Sequence, residues 1–262
     1  QVFIDVINHA ASQKNIPFIS IKVTGLASHE LLQTLHEAPR LRSGIHDNEI
    51  EQAAWDRVRE RMYAICEAAA EKNIGVLIDA EETWIQDPID RMAIELMGVY
   101  NKEKVVVYNT YQLYRSDRLH FLKISHKIAT EGNFILGAKL VRGAYMEKER
   151  ERALKMGYVS PIHANKENTD KEYNEALKFC VEHIDRISIC AGTHNEQSSL
   201  YLANLLTEKG LSKVIEDLRN GERVTSQSQE ETYNSLDEKE VLRMAQKKGY
   251  KELSNQINEL QL

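Results

Sequence analysis

The feature that most limits how this chain can fold is an alternation of two hydrophobic periods. Five short apolar runs read as strands bounded by polar or glycine-containing turns: FISIKVTGL (18–26), IGVLIDAEE (74–82), KVVVYNTYQ (104–112), FILGAKLVRGAY (134–145) and ISICAGTHN (187–195). Longer helical patterns lie between them, at about 48–72, 89–100, 115–129, 146–157 and 169–184. Continuous apolar stretches such as VVVY and GVLI suit strands covered on both faces, the usual condition of a parallel sheet. Strand and helix in turn predict an α/β fold, whose commonest closed form is the TIM-like (β/α)8 barrel. About five of its strands are recognisable, all within residues 1–210, the expected barrel portion. Residues 211–262 show no strand pattern and predict a polar helical tail. In it Ser235 and Glu238 form a capping box opening a helix to about 248.

All five predicted strands begin apolar and end polar. The ends carry Lys22; Asp79 with Glu81 and Glu82; Asn109 with Gln112; Lys139 with Arg142 and Tyr145; and Thr193, His194 and Asn195. Binding and catalytic groups gather at the carboxyl ends of strands in barrels and open parallel sheets alike. Five polar ends together therefore predict one site.

Composition excludes several function classes. A net charge of −6, with no Lys/Arg block clear of neighbouring acids, disfavours a nucleic-acid footprint. No apolar run approaches the roughly 20 residues needed to cross a bilayer. The opening QVFIDVINHAASQK has neither the basic start nor the apolar stretch of a signal peptide. Cys66, Cys180 and Cys190 are odd in number and never spaced C-x-x-C, so they read as packed thiols in a reducing compartment.

Within the fourth strand the two-residue period puts Lys139, Val141, Gly143 and Tyr145 on one face. Val141 and Gly143 would leave clearance there for a flat ligand. Arg142 points the other way or lies at the strand-to-helix turn, free to hold a phosphate or to pair with the Glu-rich helix that follows. That helix otherwise reads as solvated surface. In the second strand Leu77, Asp79 and Glu81 share a face, and Asp79 has Lys22 and Lys139 as candidate cationic partners. His194 stands at a strand end, with no H-x-H or H-x-x-x-H spacing to suggest a metal. Phosphate-cradling glycine loops and a G-x-S-x-G elbow are missing from the sequence. Spacing alone leaves three classes open: a lysine Schiff-base aldolase, a cofactor enzyme with cations and amides around an electron-rich ring, and a binding-only barrel remnant.

Five segments taken in order, SIKVTGLA, LIDAEETW, VYNTYQLY, GAKLVRGAYMEKERERA and THNE, resemble the proline dehydrogenase family over about residues 15–210. The resemblance implies an FAD-dependent β/α barrel that oxidises L-proline to Δ1-pyrroline-5-carboxylate and passes electrons to a quinone or similar acceptor. It implies catalytic roles for Asp79 and Lys139 and a substrate lining of Lys22, paired with the acidic residue, and Tyr145. The implied flavin contacts are Ala80, Asn109 as an amide near the ring, Lys139, Val141, Arg142, Gly143, Thr193 and His194. No metal is implied. Oxidation of 4-hydroxyproline is the alternative within the family. The implied location is cytoplasmic with peripheral membrane contact, or else mitochondrial. The family also has a strand before SIK, two after THNE, and an adjacent Arg-Arg pair that binds the substrate carboxylate. No Arg-Arg occurs in this sequence, so slow turnover of proline is expected.

Overall fold

The computed structural model describes residues 2–13, 15–37 and 49–211. Five parallel strands lie side by side in chain order: β1 (Phe18–Ile21), β2 (Gly75–Ile78), β3 (Val107–Gln112), β4 (Leu136–Val141) and β5 (Ile187–Ala191). Helix α1 (Val2–Ser12) precedes β1, and α2 (His29–Glu37) and α3 (Glu49–Glu71) follow it. Helix α4 (Thr83–Tyr100) follows β2, α5 (Arg118–Glu131) follows β3, and α6 (Met146–Met156) and α7 (Lys166–Glu182) follow β4. Helix α8 (Glu196–Glu208) follows β5. Parallel crossovers take one hand, so a sheet whose spatial order equals its chain order places every crossover on the same face. That is the winding of a barrel wall; a doubly wound sheet reverses its strand order.

Each predicted strand is present but ends sooner than its apolar run. Helices α1, α2 and α8 come in addition to those the sequence reading expected. Helix α4 begins at Thr83, well before the expected 89, and carries Pro88 in its second turn. Proline normally argues for a later start. Here a distant carboxylate satisfies the first turn: Glu149 of α6 accepts from the Thr83 backbone N–H at 2.7 Å and from its hydroxyl at 2.7 Å. Glu149 is fully buried, an exception on α6, most of which is exposed as expected. The tail beyond 211, with Ser235 and Glu238, lies outside the described residues.

The two-residue period of the strands divides the sheet into two faces. Ile19, Ile21, Val76, Ile78, Val107, Leu136 and Leu140 face the helices and join Met62, Cys66, Ile89 and Leu177 in one core. On the other face Phe18 of β1 meets Tyr108 of β3 edge-on at 5.5 Å. The Tyr108 hydroxyl reaches Ser188 of β5 at 2.9 Å. The strands they cross carry glycine. A Cβ on Gly75 would stand 2.3 Å from the Phe18 ring, and one on Gly137 would stand 2.1 Å from the Val107 carbonyl oxygen. Side chains of β1, β3 and β5 thus meet over glycines of β2 and β4, the alternate-strand layering of a barrel interior. Burial on both faces holds for β2 and β3. It fails for β1, which alternates exposed and buried, and for β5, because they are the edges of the described sheet.

Candidate active site

The layer above this aromatic floor is polar. Lys139 of β4 donates to the carboxylate of Asp79, just past β2, at 2.7 Å. The pair spans β3, where Thr110 is in register with Lys139 and gives its own hydroxyl proton to the Ile78 carbonyl. Cys190 of β5 is in register with Lys139 on the far side. Burial pushes the Cys190 thiol up; the Lys139 ammonium counters this and the Asp79 charge adds to it. With side chains only 18% and 15% exposed, Lys139 and Asp79 sit where removing either would strand the other's charge in a poorly hydrated place.

Around this pair the strand ends are tied together by carboxylates. Buried Glu81 accepts from the Thr24 backbone N–H at 3.2 Å and from its hydroxyl at 2.7 Å, joining the ends of β1 and β2. Gln112 of β3 donates to the Glu81 carbonyl at 2.8 Å. Glu82 pairs with Lys148 of α6 at 3.2 Å. Tyr145, half-buried at the start of α6, faces the same acids. Burial raises its hydroxyl to about 12, and Glu81, Glu82 and Asp79 reinforce the shift, so it stays protonated across the physiological range.

The structure therefore brings Asp79, Lys139 and Tyr145 together and places Ala80 in the loop beside them. Val141 shares the face of Lys139, against Gly192: a Cβ on Gly192 would lie 2.9 Å from a Val141 methyl. Thr193 and His194 follow in the turn between β5 and α8, with His194 exposed.

Four sequence-based expectations change. Asn109 lies on the helix-facing side of β3. Its amide donates to Asp90 of α4 at 2.8 Å, and Asp90 pairs with Arg118 at 2.8 Å. Thr110 and Gln112 hold the inner face in its place. Lys22 is exposed, and Asp79 pairs with Lys139. Gly143, with φ of 141°, has the Tyr114 ring where a side chain would stand: an added Cβ would lie 2.4 Å from it. Arg142 turns toward α7, where it donates to Asp170 at 2.6 Å, to Thr193 at 2.7 Å and to Ser198 at 3.0 Å. Its carboxylate partner is on α7, not on α6.

A polar cluster of this kind at the carboxyl ends of a singly wound parallel sheet suits many chemistries, and comparison with known proteins narrows them. The model of the proline dehydrogenase family matches residues 3–218. The chain belongs to that family. Among relatives, the mitochondrial proline dehydrogenase 1 of Caenorhabditis elegans is 38% identical over 170 residues, covering 63% of this chain and 27% of the relative. The carbapenem antibiotics biosynthesis protein CarD of Pectobacterium carotovorum is 32% identical over 197 residues, covering 75% and 49%. The hydroxyproline dehydrogenase of Xenopus laevis is 28% identical over 236 residues, covering 81% and 51%. The chain spans about a quarter of the nematode relative and about half of the other two. Proline utilization A of Bdellovibrio bacteriovorus, in a structure inactivated by N-propargylglycine, superposes with a TM-score of 0.65 at 20% identity, covering 79% of this chain and 22% of that one. The fold is thus that of the family's barrel wall. Among the described residues no helix is long and apolar enough to cross a membrane.

Sequence reasoning did not single out Thr110 and Cys190, which complete the layer of Lys139. The run VYNTYQ is buried along its whole length. It therefore offers no polar alternation to say which parity faces inward. Only its register against β4 decides that.

Proposed function

We propose that this chain forms the cofactor-side half of a flavoenzyme site that oxidises L-proline to Δ1-pyrroline-5-carboxylate, using FAD and delivering electrons to a quinone-type acceptor. The observation that supports this best is the Lys139–Asp79 pair, held at the carboxyl end of the sheet inside the region matched by the family model. FAD, when bound, supplies the hydride acceptor for the substrate's C–H bond. The donor set suits such a ring: one ammonium on the inner face, aliphatic Val141 beside it, and hydroxyl and imidazole groups at Thr193 and His194.

In this reading Lys139 presents its charge where negative charge collects, and Asp79 fixes the direction of the ammonium. Ala80, Val141, Thr193 and His194 hold the cofactor. Arg142 and Gly143 act behind that surface, as a strut and as the space for Tyr114. Lys22, exposed at the end of β1, and Tyr145 line the substrate side. The protonated Tyr145 hydroxyl donates a hydrogen bond and takes no part as a base. Asn109 contributes to folding only.

The test is anaerobic. Protein reconstituted with FAD should turn yellow and bleach when L-proline is added. A well-folded protein that takes up no FAD, or a yellow one whose colour proline leaves unchanged, rules the proposal out. The match to a hydroxyproline dehydrogenase over most of the chain supports a second reading, oxidation of 4-hydroxyproline. Faster bleaching by trans-4-hydroxy-L-proline than by L-proline would favour it.

A further inference from the structure

The guanidinium of Arg142, at the end of β4, is divided among three residues on two pieces of chain. Its Nε donates to Asp170 of α7, one terminal nitrogen to the Thr193 hydroxyl, and the other to the Ser198 hydroxyl in the first turn of α8. Its plane lies over the Tyr173 ring at 4.4 Å. A guanidinium is a rigid planar fork, so fixing one edge fixes the direction of the other donors. The edge held by a charge is the one facing Asp170; the other two partners are neutral hydroxyls. Charge-assisted bonds are about twice as strong as neutral ones, so Asp170 sets the orientation.

Asp170 is itself anchored. Lys166, one turn earlier on α7, donates to its second oxygen at 2.5 Å. Burial alone would raise the Asp170 carboxyl, but hydrogen bonds from Lys166 and Arg142 outweigh it and hold it below the ordinary value. At the other end, Thr193 also accepts the Asn195 backbone N–H at 3.0 Å, and Asn195 caps α8 by accepting the Ser198 N–H at 3.0 Å. The Ser198 hydroxyl in turn donates to the side-chain carbonyl of Asn174 on α7 at 2.8 Å. The corner from 192 to 198 is therefore held to β4 and α7 by this guanidinium together with two direct ties, the Gly192 N–H to the Leu140 carbonyl at 2.8 Å and the Ser198 hydroxyl to Asn174.

We propose that Asp170 is a positioning residue for the site: acting through Arg142, it sets the Thr193–His194 corner in the place from which that corner holds the cofactor. Its own described hydrogen bonds come from Arg142 and Lys166. The cofactor part of this proposal rests on the flavoenzyme reading above; the corner-setting part does not.

The experiment compares wild type, Asp170→Asn, Asp170→Glu and Lys166→Met. Amide hydrogen exchange is read in the protein without FAD, and FAD affinity is read by quenching of flavin fluorescence. Asp170→Asn should speed exchange of residues 192–198 about tenfold and leave β4 protected, since the bond lost is worth roughly 1.4 kcal/mol. Its FAD affinity should weaken by a similar factor. Asp170→Glu should restore part of both. Lys166→Met, an exposed change that keeps the fold, should show a smaller effect at the same amides. Unchanged exchange at 192–198 in Asp170→Asn and Lys166→Met overturns the proposal, as does faster exchange spread equally over β4, α7 and the corner. So does normal FAD affinity alongside a loosened corner. Failure of the wild type to bind FAD defeats the flavoenzyme reading instead, while the exchange data still decide what Asp170 does.

Discussion

Replacing Glu149 tests the reasoning at its sharpest, because this carboxylate is wholly buried and its described partners are the two donors of one residue. Both of its oxygens accept from Thr83, the first residue of α4. The charge is stabilised by the helix N-terminus, where a carboxylate contributes up to about 2 kcal/mol when buried. Glu149→Ala removes two charge-assisted hydrogen bonds, leaves the Thr83 N–H without an acceptor and opens a void, for a loss of about 3–5 kcal/mol. Glu149→Gln keeps the shape. Its carbonyl can accept from the N–H and its amide can donate to the Thr83 hydroxyl, so the loss should be about 1–2 kcal/mol. Urea unfolding followed by circular dichroism measures both. The double variant with Thr83→Ala should show coupling of at least about 1 kcal/mol. If Glu149→Ala stays within about 0.5 kcal/mol of wild type, or Glu149→Gln is as damaging as Glu149→Ala, the carboxylate is not what starts α4.

Further outcomes follow from other contacts. Gly143→Ala puts a methyl against the Tyr114 ring at a backbone angle that side chains seldom adopt, and should lower stability by about 2–4 kcal/mol in the same urea assay. Asn109→Ala should destabilise by about 1–3 kcal/mol, leaving Asp90 short of a donor, while FAD affinity of the folded fraction is unchanged; weaker FAD binding would return Asn109 to the site. Lys139→Met should abolish or sharply weaken FAD binding, whereas Lys139→Arg should retain it, as read by flavin fluorescence. Burial alone would raise the Asp117 carboxyl, but hydrogen bonds from Arg118 and Arg115 bring it down to about 2. A depressed folded value means that its stabilisation is present above the unfolded value and is lost as pH falls from about 4 toward 2. Asp117→Asn should flatten that part of the acid-unfolding profile, and an unaltered profile would count against the pairing.

How much of this was legible beforehand differs from element to element. The five strands were readable because buried parallel strands need unbroken apolar runs, and GVLI and VVVY supply them. Lys139 and Val141 fall on one face as their spacing says, since a strand's own alternation needs no partner; Tyr145 lies past the end of β4, at the start of α6, where that alternation no longer runs. The resemblance put Asn109 beside the cofactor, and its own run could not check this: a run buried on both sides hides its parity, and the neighbouring strand's register supplies it. Glu149 could not be recognised in MEKERERA. An acidic residue in a charged helix looks solvated until a second helix, 66 residues earlier in the chain, brings two donors to it.

By itself, then, the sequence determines which segments are strands, where five of the helices lie, that the class is α/β, and that the chemistry collects at the strand ends; the winding shows only in the order of the aligned strands. It also determines the family, since five ordered motifs survive without any knowledge of contacts. Only the tertiary structure decides the partners. It chose Lys139 over Lys22 for Asp79 and Asp170 over the glutamates of α6 for Arg142, and it set the Tyr114 ring against Gly143. Local patterns are set by a residue and its near neighbours along the chain. Charge pairing and close approach are set by distances across the sheet, which come into being only when the strands align.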